Sequence, residues 1–438
     1  ALYLAIAKYE EIGELEGLIM SYANLVYAGN MSDPDIGKFF QTMQEKISAI
    51  GTDLLFFTLE LNRIEEDKLQ AMYEGSSLKK YEPWLNNVRA LKPYQLSDEI
   101  EKLLHEKDIS GRSAWVRLFD ETMAGLKFEV DGEEMASQQA LHLLSSPNGE
   151  IRKKAAKNIG KVFGENVRLF SLITNTLAKD KAIEDEWRGS PEPAAMRHLS
   201  NQVEAEVVDA LSEAVQAAYP TLSHRYYAIK AKWMGQDKID YWDRNAPLPD
   251  SDDRIIPWDE ARDTVLEAYG RFSPDLSDLG KQFFEKPWID ASVRPGKSPG
   301  AFAHPTVPSV HPYLLLIRDV MTLAHELGHG VHQILAAPQG GLLADTPLTL
   351  AETASVFGEQ LTFRALLEKE ADPDKRRIML AGKVEDMLNT VVRQIAFYEF
   401  EKRLHAARKA EELAPDQIGK IWMEVQKESL GPAIRLHD

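Results

Sequence analysis

Cysteine is absent from the 438 residues. Disulfide frameworks, thiolate nucleophiles and cysteine-ligated metals are therefore excluded, and any metal would have to be held by His, Asp or Glu. Long apolar runs are also missing, because no segment reaches the ~18 residues that a membrane-spanning helix needs. We therefore expect a protein without a membrane partner, located in the cytoplasm.

Positive charge is scarce relative to negative charge. The chain has 51 Lys and Arg against 69 Asp and Glu, which gives a formal net charge of −18. Non-specific nucleic-acid binding depends on clustered Lys and Arg, so we expect no nucleic-acid partner. A hydrophobic fraction of 44% and a charged fraction of 27% are those of an ordinary globular protein. We expect a monomer or a small homo-oligomer.

Helical periodicity dominates the sequence, because apolar residues recur at three- and four-residue steps. The main predicted helical regions are 2–28, 36–50, 52–75, 150–232, 259–285 and 415–428, with further helix between the key motif and residue 410. Residues 81–93 are rich in Trp, Asn and Pro and are predicted to form a connection. Strand candidates are 128–130, 300–304 and 313–317. The pattern predicts a mostly α fold with one small β element beside the key motif.

The clearest chemical signal is the segment Leu323-Ala-His325-Glu326-Leu-Gly-His329-Gly-Val-His332. On a helix, His325 and His329 are four residues apart and share one face, so both can bind one metal ion. Glu326 lies about 100° around the helix, where it can reach a metal-bound water without ligating the metal. The alternative is a solvated helix face or histidines satisfied within the core.

A second helix offers a third ligand. Thr346 and Pro347 are typical of a helix start, and Glu352 follows in an apolar and small stretch where a carboxylate is costly unless it is paired. We predict that Glu352 is the third ligand; a structural Glu paired with an Arg is the alternative. Glu359, seven residues later on the same face, either orients a ligand His or is a solvated charge.

Several other residues carry weaker signals. His332 is expected to be a packing residue or to orient a neighbour, since a fourth ligand would block the water. His304 and His311 flank the β element and are candidates to line a cleft. Asp319 is expected to cap the following helix. Arg393 lies in an apolar helix, so we expect it to have a buried partner.

Together these motifs resemble the oligoendopeptidase F group of peptidase family M3. The similarity extends beyond the metal motif and covers nearly the whole chain. Its further segments are 350–359, 294–304, 224–230 and 383–390.

The resemblance implies an elongated multi-helix metallopeptidase with a deep substrate channel. It implies that one Zn²⁺ ion is held by His325, His329 and Glu352, and that short peptides (oligopeptides) are hydrolysed by attack of a zinc-bound water. Glu326 would be the general base of this zinc metalloendopeptidase. The segment 297–304 would be an edge strand that pairs with the peptide backbone, which places Phe302 and His304 in the substrate cleft with His332 and Glu359 close by.

The resemblance also predicts a division of the chain. An N-terminal helical region would span residues 1–110, a helical connecting subdomain 111–150, and the zinc peptidase domain 151–438. In the family, a segment rich in His and Tyr supplies oxyanion donors, and we expect it to follow Asp438. We also expect a loop that the sequence omits between Ile317 and Arg318.

Two rival functions remain open on the sequence alone. One is an exopeptidase of similar architecture, such as a dipeptidyl carboxypeptidase. The other is a helical peptide-binding or scaffold protein with a vestigial site, although the intact Glu326 argues against it.

Overall fold

The computed structural model describes residues 1–248, 256–292, 294–298, 300–316 and 320–437. Within these ranges the chain is mostly α-helical. The helices are α1 Leu2–Gly29, α2 Pro34–Arg63, α3 Glu66–Tyr73, α4 Glu82–Ala90, α5 Asp98–Asp108, α6 Arg112–Gly125, α7 Ser137–His142, α8 Gly149–Glu165, α9 Val167–Arg188, α10 Ala195–Ser200, α11 Ala205–Ala218, α12 Ser223–Trp233, α13 Trp258–Phe272, α14 Pro274–Glu285, α15 Val320–Ala336, α16 Leu348–Lys369, α17 Pro373–Arg408 and α18 Pro415–Leu430. The predicted mostly α fold is confirmed.

The strands are short. They are β1 Lys127–Val130, β2 Glu133–Ala136, β3 Ile239–Asp240, β4 Ile289–Asp290, β5 Phe302–His304, β6 Tyr313–Leu315 and β7 Ile434–Arg435. In the three-stranded sheet the order is β4-β6-β5, with β4 parallel and β5 antiparallel to β6. The three predicted strands are confirmed, whereas the two-residue strands have too few residues to leave a period-two pattern.

Two helix predictions were wrong in detail. Residues 36–50 and 52–75 form one helix to Arg63 followed by a short one, because Gly51 lies inside α2 without a proline or a cap to end it. The region 81–93 contains α4 rather than a connection. Pro83 lies in the first turn of α4, where its missing N–H leaves no hydrogen bond unmade.

The chain forms two compact units, each built from separate stretches of sequence. The first unit comprises Ala1–Lys107, Leu199–Gln202 and Arg254–Lys369. The second comprises Asp108–His198, Val203–Asp253 and Glu370–Asp438. The three domains proposed from the sequence stay a prediction. In the described ranges no helix is both long and apolar enough to cross a membrane.

The core of the first unit is built around α15. Leu323, Leu327 and Val331 recur at four-residue steps and are almost fully buried. They pack in one cluster with residues of α13, α14 and β6. In addition, the hydroxyl of Tyr269 in α13 donates a hydrogen bond of 2.6 Å to the carbonyl of Ala324. This packing fixes one face of α15 and so fixes the directions of its remaining side chains.

Candidate metal centre

Helices α15 and α16 approach each other through glycine. A Cβ atom added to Gly328 would lie 2.6 Å from the carbonyl oxygen of Ala354, and one added to Gly358 would lie 2.8 Å from that of Ala324. Neither position can carry a side chain without moving a helix. The two helix backbones are therefore in direct contact, and side chains that flank the contact are brought close together.

Three of the predicted site residues converge beside this contact. The Nε2 atoms of His325 and His329 lie 3.4 and 3.6 Å from Oε2 of Glu352. The two imidazole rings have centroids 4.9 Å apart and stand nearly perpendicular, at 82°. Together the three side chains offer ligand atoms within 4.8 Å of one another.

The spacing of these atoms suits a zinc ion. Two donors bonded to one zinc at roughly 2.0–2.2 Å in a tetrahedral arrangement lie about 3.3–3.5 Å apart. The distances of 3.4 and 3.6 Å from Glu352 to the two imidazoles match that separation to within a few tenths of an ångström. Two imidazoles and one carboxylate are also the donor set of catalytic zinc sites, which keep a fourth position open.

Glu359 contacts one of the two histidines from the side away from Glu352. The Nδ1 of His325 lies 2.7 Å from Oε1 of Glu359, so an Nδ1–H donor leaves Nε2 free to bind a metal. Burial lowers the pKa of His325, but the hydrogen bond to Glu359 and the carboxylates of Glu326 and Glu352 raise it more. The geometry favours the orienting interpretation of Glu359 over that of a solvated charge.

Glu352 is more exposed than the sequence indicated. Its side chain is 52% exposed, although the stretch around it is apolar in sequence. This stretch is not part of the core, since Leu350 is exposed as well. The hydrogen bond with His329 lowers the pKa of Glu352 to about 2, against the effect of partial burial, and a hydrogen bond from Ser355 adds to the lowering. Among the described residues, Glu352 contacts the side chains of His325, His329 and Ser355, and it is not paired with an arginine.

Glu326 points away from solvent, towards the small sheet. It is 5% exposed, and burial is the main cause that raises its pKa. The histidines at 325 and 329 counteract this, as does a hydrogen bond from the backbone of Ala303 in β5. The carbonyl of Ala303 in turn accepts a long hydrogen bond of 3.4 Å from Gln333 of α15. The edge strand β5 therefore lies directly beside the helix that carries the His-Glu-x-x-His motif.

The other predicted residues occupy different places. His332 is partly buried on α15 but is not part of the three-residue ligand group. Phe302 and His304 lie in β5 opposite Leu315 and Tyr313 of β6. Burial lowers the pKa of His304, and its Nε2 is buried without a hydrogen-bond partner among the described residues.

Two further predictions concern residues outside the metal group. His311 stacks on Trp288 at a centroid distance of 4.0 Å, with the rings 13° from parallel, and its place in a substrate cleft stays a prediction. The proposed cap Asp319 lies outside the described residues.

Sequence reasoning missed Ser355 and Ala303. Ser355 follows Glu352 by three residues, a helical spacing at which side chains meet, so this contact could have been found. The hydrogen bond from Ala303 comes from the backbone, so no pattern of side chains in the sequence could predict it.

A His-Glu-x-x-His helix in contact with a second helix that supplies a glutamate is typical of metal-dependent peptidases. The model for Peptidase family M3 matches residues 142–437, and that for Oligopeptidase F matches residues 60–128. The chain therefore belongs to peptidase family M3. The resemblance drawn from the sequence motifs is confirmed, and the family supports peptide hydrolysis as the general activity.

The chain is also similar to individual members of that group. It is 27% identical to Oligopeptidase PepF of Bacillus subtilis, over 98% of this chain and 66% of the relative. It is 24% identical to an Oligoendopeptidase F homolog of Borreliella burgdorferi, over 98% of this chain and 74% of the relative. The chain thus spans about two thirds to three quarters of these curated relatives.

Among solved structures, the fold is similar to that of oligoendopeptidase-F from Enterococcus faecium. The TM-score is 0.73 at 20% sequence identity, over 99% of this chain and 75% of that one.

Proposed function

We propose that this chain is a zinc metalloendopeptidase that hydrolyses oligopeptides. The observation that carries the proposal is the convergence of His325, His329 and Glu352 within 4.8 Å, with Glu326 adjacent on the same helix. Membership of family M3 supports peptide hydrolysis. We further propose that the enzyme acts in the cytoplasm as a monomer or small homo-oligomer.

In this proposal His325, His329 and Glu352 hold one zinc ion. The ion, when bound, lowers the pKa of water towards ~7 and polarises the scissile carbonyl. Glu359 holds the imidazole of His325 in the tautomer that leaves Nε2 available, and the hydroxyl of Ser355 steadies Oε2 of Glu352.

Glu326 is the general base. Its carboxylate accepts the proton of the attacking water and later delivers that proton to the leaving amine. Its position one residue after His325 keeps it close to the ligand group without making it a ligand. The backbone hydrogen bond from Ala303 holds the carboxylate between α15 and the edge strand.

The substrate backbone is proposed to pair with the edge of β5. This strand lies at one side of the β4-β6-β5 sheet, so main-chain groups on its far side are directed away from the sheet. An extended peptide there would lie beside Glu326, and would take over the long hydrogen bond that Gln333 makes to Ala303. Phe302, His304 and His332 are the proposed neighbours of substrate side chains.

The first test replaces Glu326 with Gln. The variant keeps the shape of the side chain but cannot accept the proton, so we expect cleavage of a quenched fluorescent peptide to fall about 10²–10⁴-fold. Zinc content, measured by mass spectrometry of the purified protein, should stay equal to that of the unaltered chain. Near-normal turnover by a zinc-loaded Glu326→Gln protein would contradict the assignment.

Substrate end-groups distinguish the endopeptidase from its rivals. An endopeptidase tolerates an amidated C-terminus, whereas a dipeptidyl carboxypeptidase would lose most of its activity on such a peptide. A scaffold protein with a vestigial site would bind neither zinc nor show turnover. Cleavage of free and amidated peptides therefore separates the two peptidases, and zinc content together with turnover separates both of them from the scaffold protein.

A further inference from the structure

The second unit contains a small cavity that has no part in the metal centre. It is bounded by α12, α17, α18 and the segment that follows β3. Its volume is about 10 Å³, which is room for roughly one water-sized occupant. Its polar lining residues are Tyr227, Arg244, Asn389, Arg393, Gln426 and Ser429, together with Ser223, whose hydroxyl already donates to the carbonyl of Ser429.

Two arginines line this cavity without a matching carboxylate. The ring of Phe397 lies 5.6 Å from the guanidinium of Arg393, and no ion pair joins either arginine to an acid within the described ranges. Burial, and secondly the positive charge of Arg244, lower the pKa of Arg393. The sequence led us to expect a buried partner for Arg393, but the charged side chain that acts on it is Arg244, which is also positive.

Two acids described in this part of the second unit are already paired. Glu385 accepts hydrogen bonds from Lys230 at 2.7 and 2.9 Å and one from the hydroxyl of Tyr226. Asp243 accepts hydrogen bonds from Arg152, and both of these side chains are buried. The negative charge of these two acids is therefore balanced by Lys230 and Arg152, which leaves the two arginines in excess among the described residues.

The unmet polar groups at the cavity are hydrogen-bond donors. Nε of Arg244 and Oγ of Ser429 are both buried and have no partner among the described residues. Burial raises the pKa of Tyr227 to about 12, so its hydroxyl keeps its proton and can also donate. A site with two positive charges and several free donors requires an acceptor that carries negative charge.

We propose that the cavity binds one monovalent anion of halide size, such as chloride, between Arg244 and Arg393. The space takes one occupant of about the size of water, and a single-atom halide is closer to that size than phosphate or sulfate, each of which has five heavy atoms. A bound halide would accept hydrogen bonds from the guanidinium groups and from Ser429. It would thereby link α17, α18 and the segment after β3 through its contacts with Arg393, Ser429 and Arg244.

The test compares salts at constant ionic strength. The melting temperature of the full chain is measured while sodium gluconate, whose anion is too large for the cavity, is replaced stepwise by sodium chloride. We expect a saturable rise of about 2–4 °C, since a ligand that binds only the folded state stabilises it by mass action. An equal melting temperature in the two salts would overturn the proposal.

Matched variants locate the effect. Arg393→Gln should abolish the chloride-dependent rise, whereas Arg377→Gln should keep it. Both changes remove one positive charge from α17, but Arg377 is exposed and pairs with Asp374 on the same helix. A chloride effect of undiminished size in a folded Arg393→Gln protein would contradict the proposed site.

Two measurements on the unaltered chain keep the proposal testable if Arg393→Gln does not fold. Crystals grown in sodium bromide should show an anomalous peak between the two guanidinium groups, and its absence at saturating bromide would overturn the proposal. Sodium acetate should stabilise less than chloride. A larger effect of acetate would overturn the halide assignment, because it would identify a carboxylate as the preferred occupant.

Discussion

The two ring nitrogens of His325 have different partners. Nδ1 lies 2.7 Å from Glu359, and Nε2 lies 3.4 Å from Glu352. Both carboxylates belong to α16, so one helix supplies the proposed ligand and also the group that orients another ligand. The direction of the imidazole is therefore determined by protein contacts before any metal arrives.

Removing the orienting carboxylate should weaken metal binding. We expect Glu359→Ala to reduce zinc affinity by roughly 10–100-fold, because the ring of His325 is then free to turn and to change tautomer. Competition with a chelator of known affinity measures the loss. Glu368→Ala is the control, since Glu368 is on the same helix but pairs with Arg271 at the surface. Equal zinc affinities for the two variants would contradict the role of Glu359.

Side-chain spacing made the convergence of the three proposed ligands predictable. His325, His329 and Glu352 were chosen because helical geometry and ligand chemistry both constrain them. Chemistry that depends on the backbone, such as the hydrogen bond from Ala303, leaves no trace in the sequence. Arg393 was recognised as unusual, but its like-charged neighbour Arg244 is almost 150 residues earlier, and sequence patterns do not report such distant pairs.

Glycine controls the distance between the helices α15 and α16. Gly328 faces the backbone of Ala354 and Ser355, so that even a methyl group would enter space occupied by main-chain atoms. Main-chain atoms cannot yield as the end of a flexible side chain can. The separation of the two helices, and with it the spacing of the proposed ligands, depends on this residue.

Gly328→Ala should therefore damage both stability and metal binding. We expect it to lower the free energy of unfolding by about 1–3 kcal/mol through overpacking. Zinc affinity should fall as well, because Glu352 moves away from the two histidines. Denaturant titration and chelator competition measure the two effects.

Gly13→Ala provides the comparison. Gly13 lies inside α1 with no atom near the position of a new Cβ, so alanine there should be neutral or stabilise by roughly 0.5–1 kcal/mol. If Gly328→Ala proved as benign as Gly13→Ala, the role of the glycine contact would be wrong.

Elements with a long repeating pattern were predicted well, and short or unusual ones were not. Three strands were identified because each is a short apolar run bounded by turn residues. A strand of two residues, such as Ile239–Asp240, has no such pattern and is defined by its pairing with Ile434–Arg435. Pro83 suggested a connection, although proline in the first turn is compatible with a helix. Helix α15 was predicted from two independent patterns, an apolar stripe at helical spacing and the His-Glu-x-x-His motif.

Helix α1 contacts the surroundings of the candidate metal centre from a great distance in sequence. Oε1 of Glu10 accepts a hydrogen bond of 3.1 Å from the backbone of Leu342, in the loop between α15 and α16. Its Oε2 accepts one of 2.6 Å from the hydroxyl of Tyr81. Glu14, one turn later, accepts a hydrogen bond from the backbone of Ser309, between β5 and β6. Helix α1 thus holds two of the loops that connect the elements of the site.

Glu10→Ala should loosen the loop that joins the two ligand helices. It leaves the partly buried N–H of Leu342 and the hydroxyl of Tyr81 without an acceptor, which costs about 1–3 kcal/mol of stability. We also expect weaker zinc binding, although every proposed ligand is still present. Thermal melting with and without zinc measures both effects.

Glu11→Ala is the matched control, because Glu11 is exposed and pairs with Lys8 on the same helix. Indistinguishable behaviour of the two variants would refute the supporting role of α1. The sequence could not indicate this arrangement, since helical periodicity is a local signal and carries no information about which helices meet.

The discontinuity of the first unit has a consequence for how the protein is made. Its early stretch, Ala1–Lys107, leaves the ribosome long before Arg254–Lys369, and nearly 150 residues of other chain are synthesised between them. Helix α1 is thus synthesised well before Glu352, which lies in the late stretch of the same unit. Under the proposed function, a nascent chain has no working peptidase centre until Glu352 has been synthesised, so copies that stop before that point cannot digest the peptides around them.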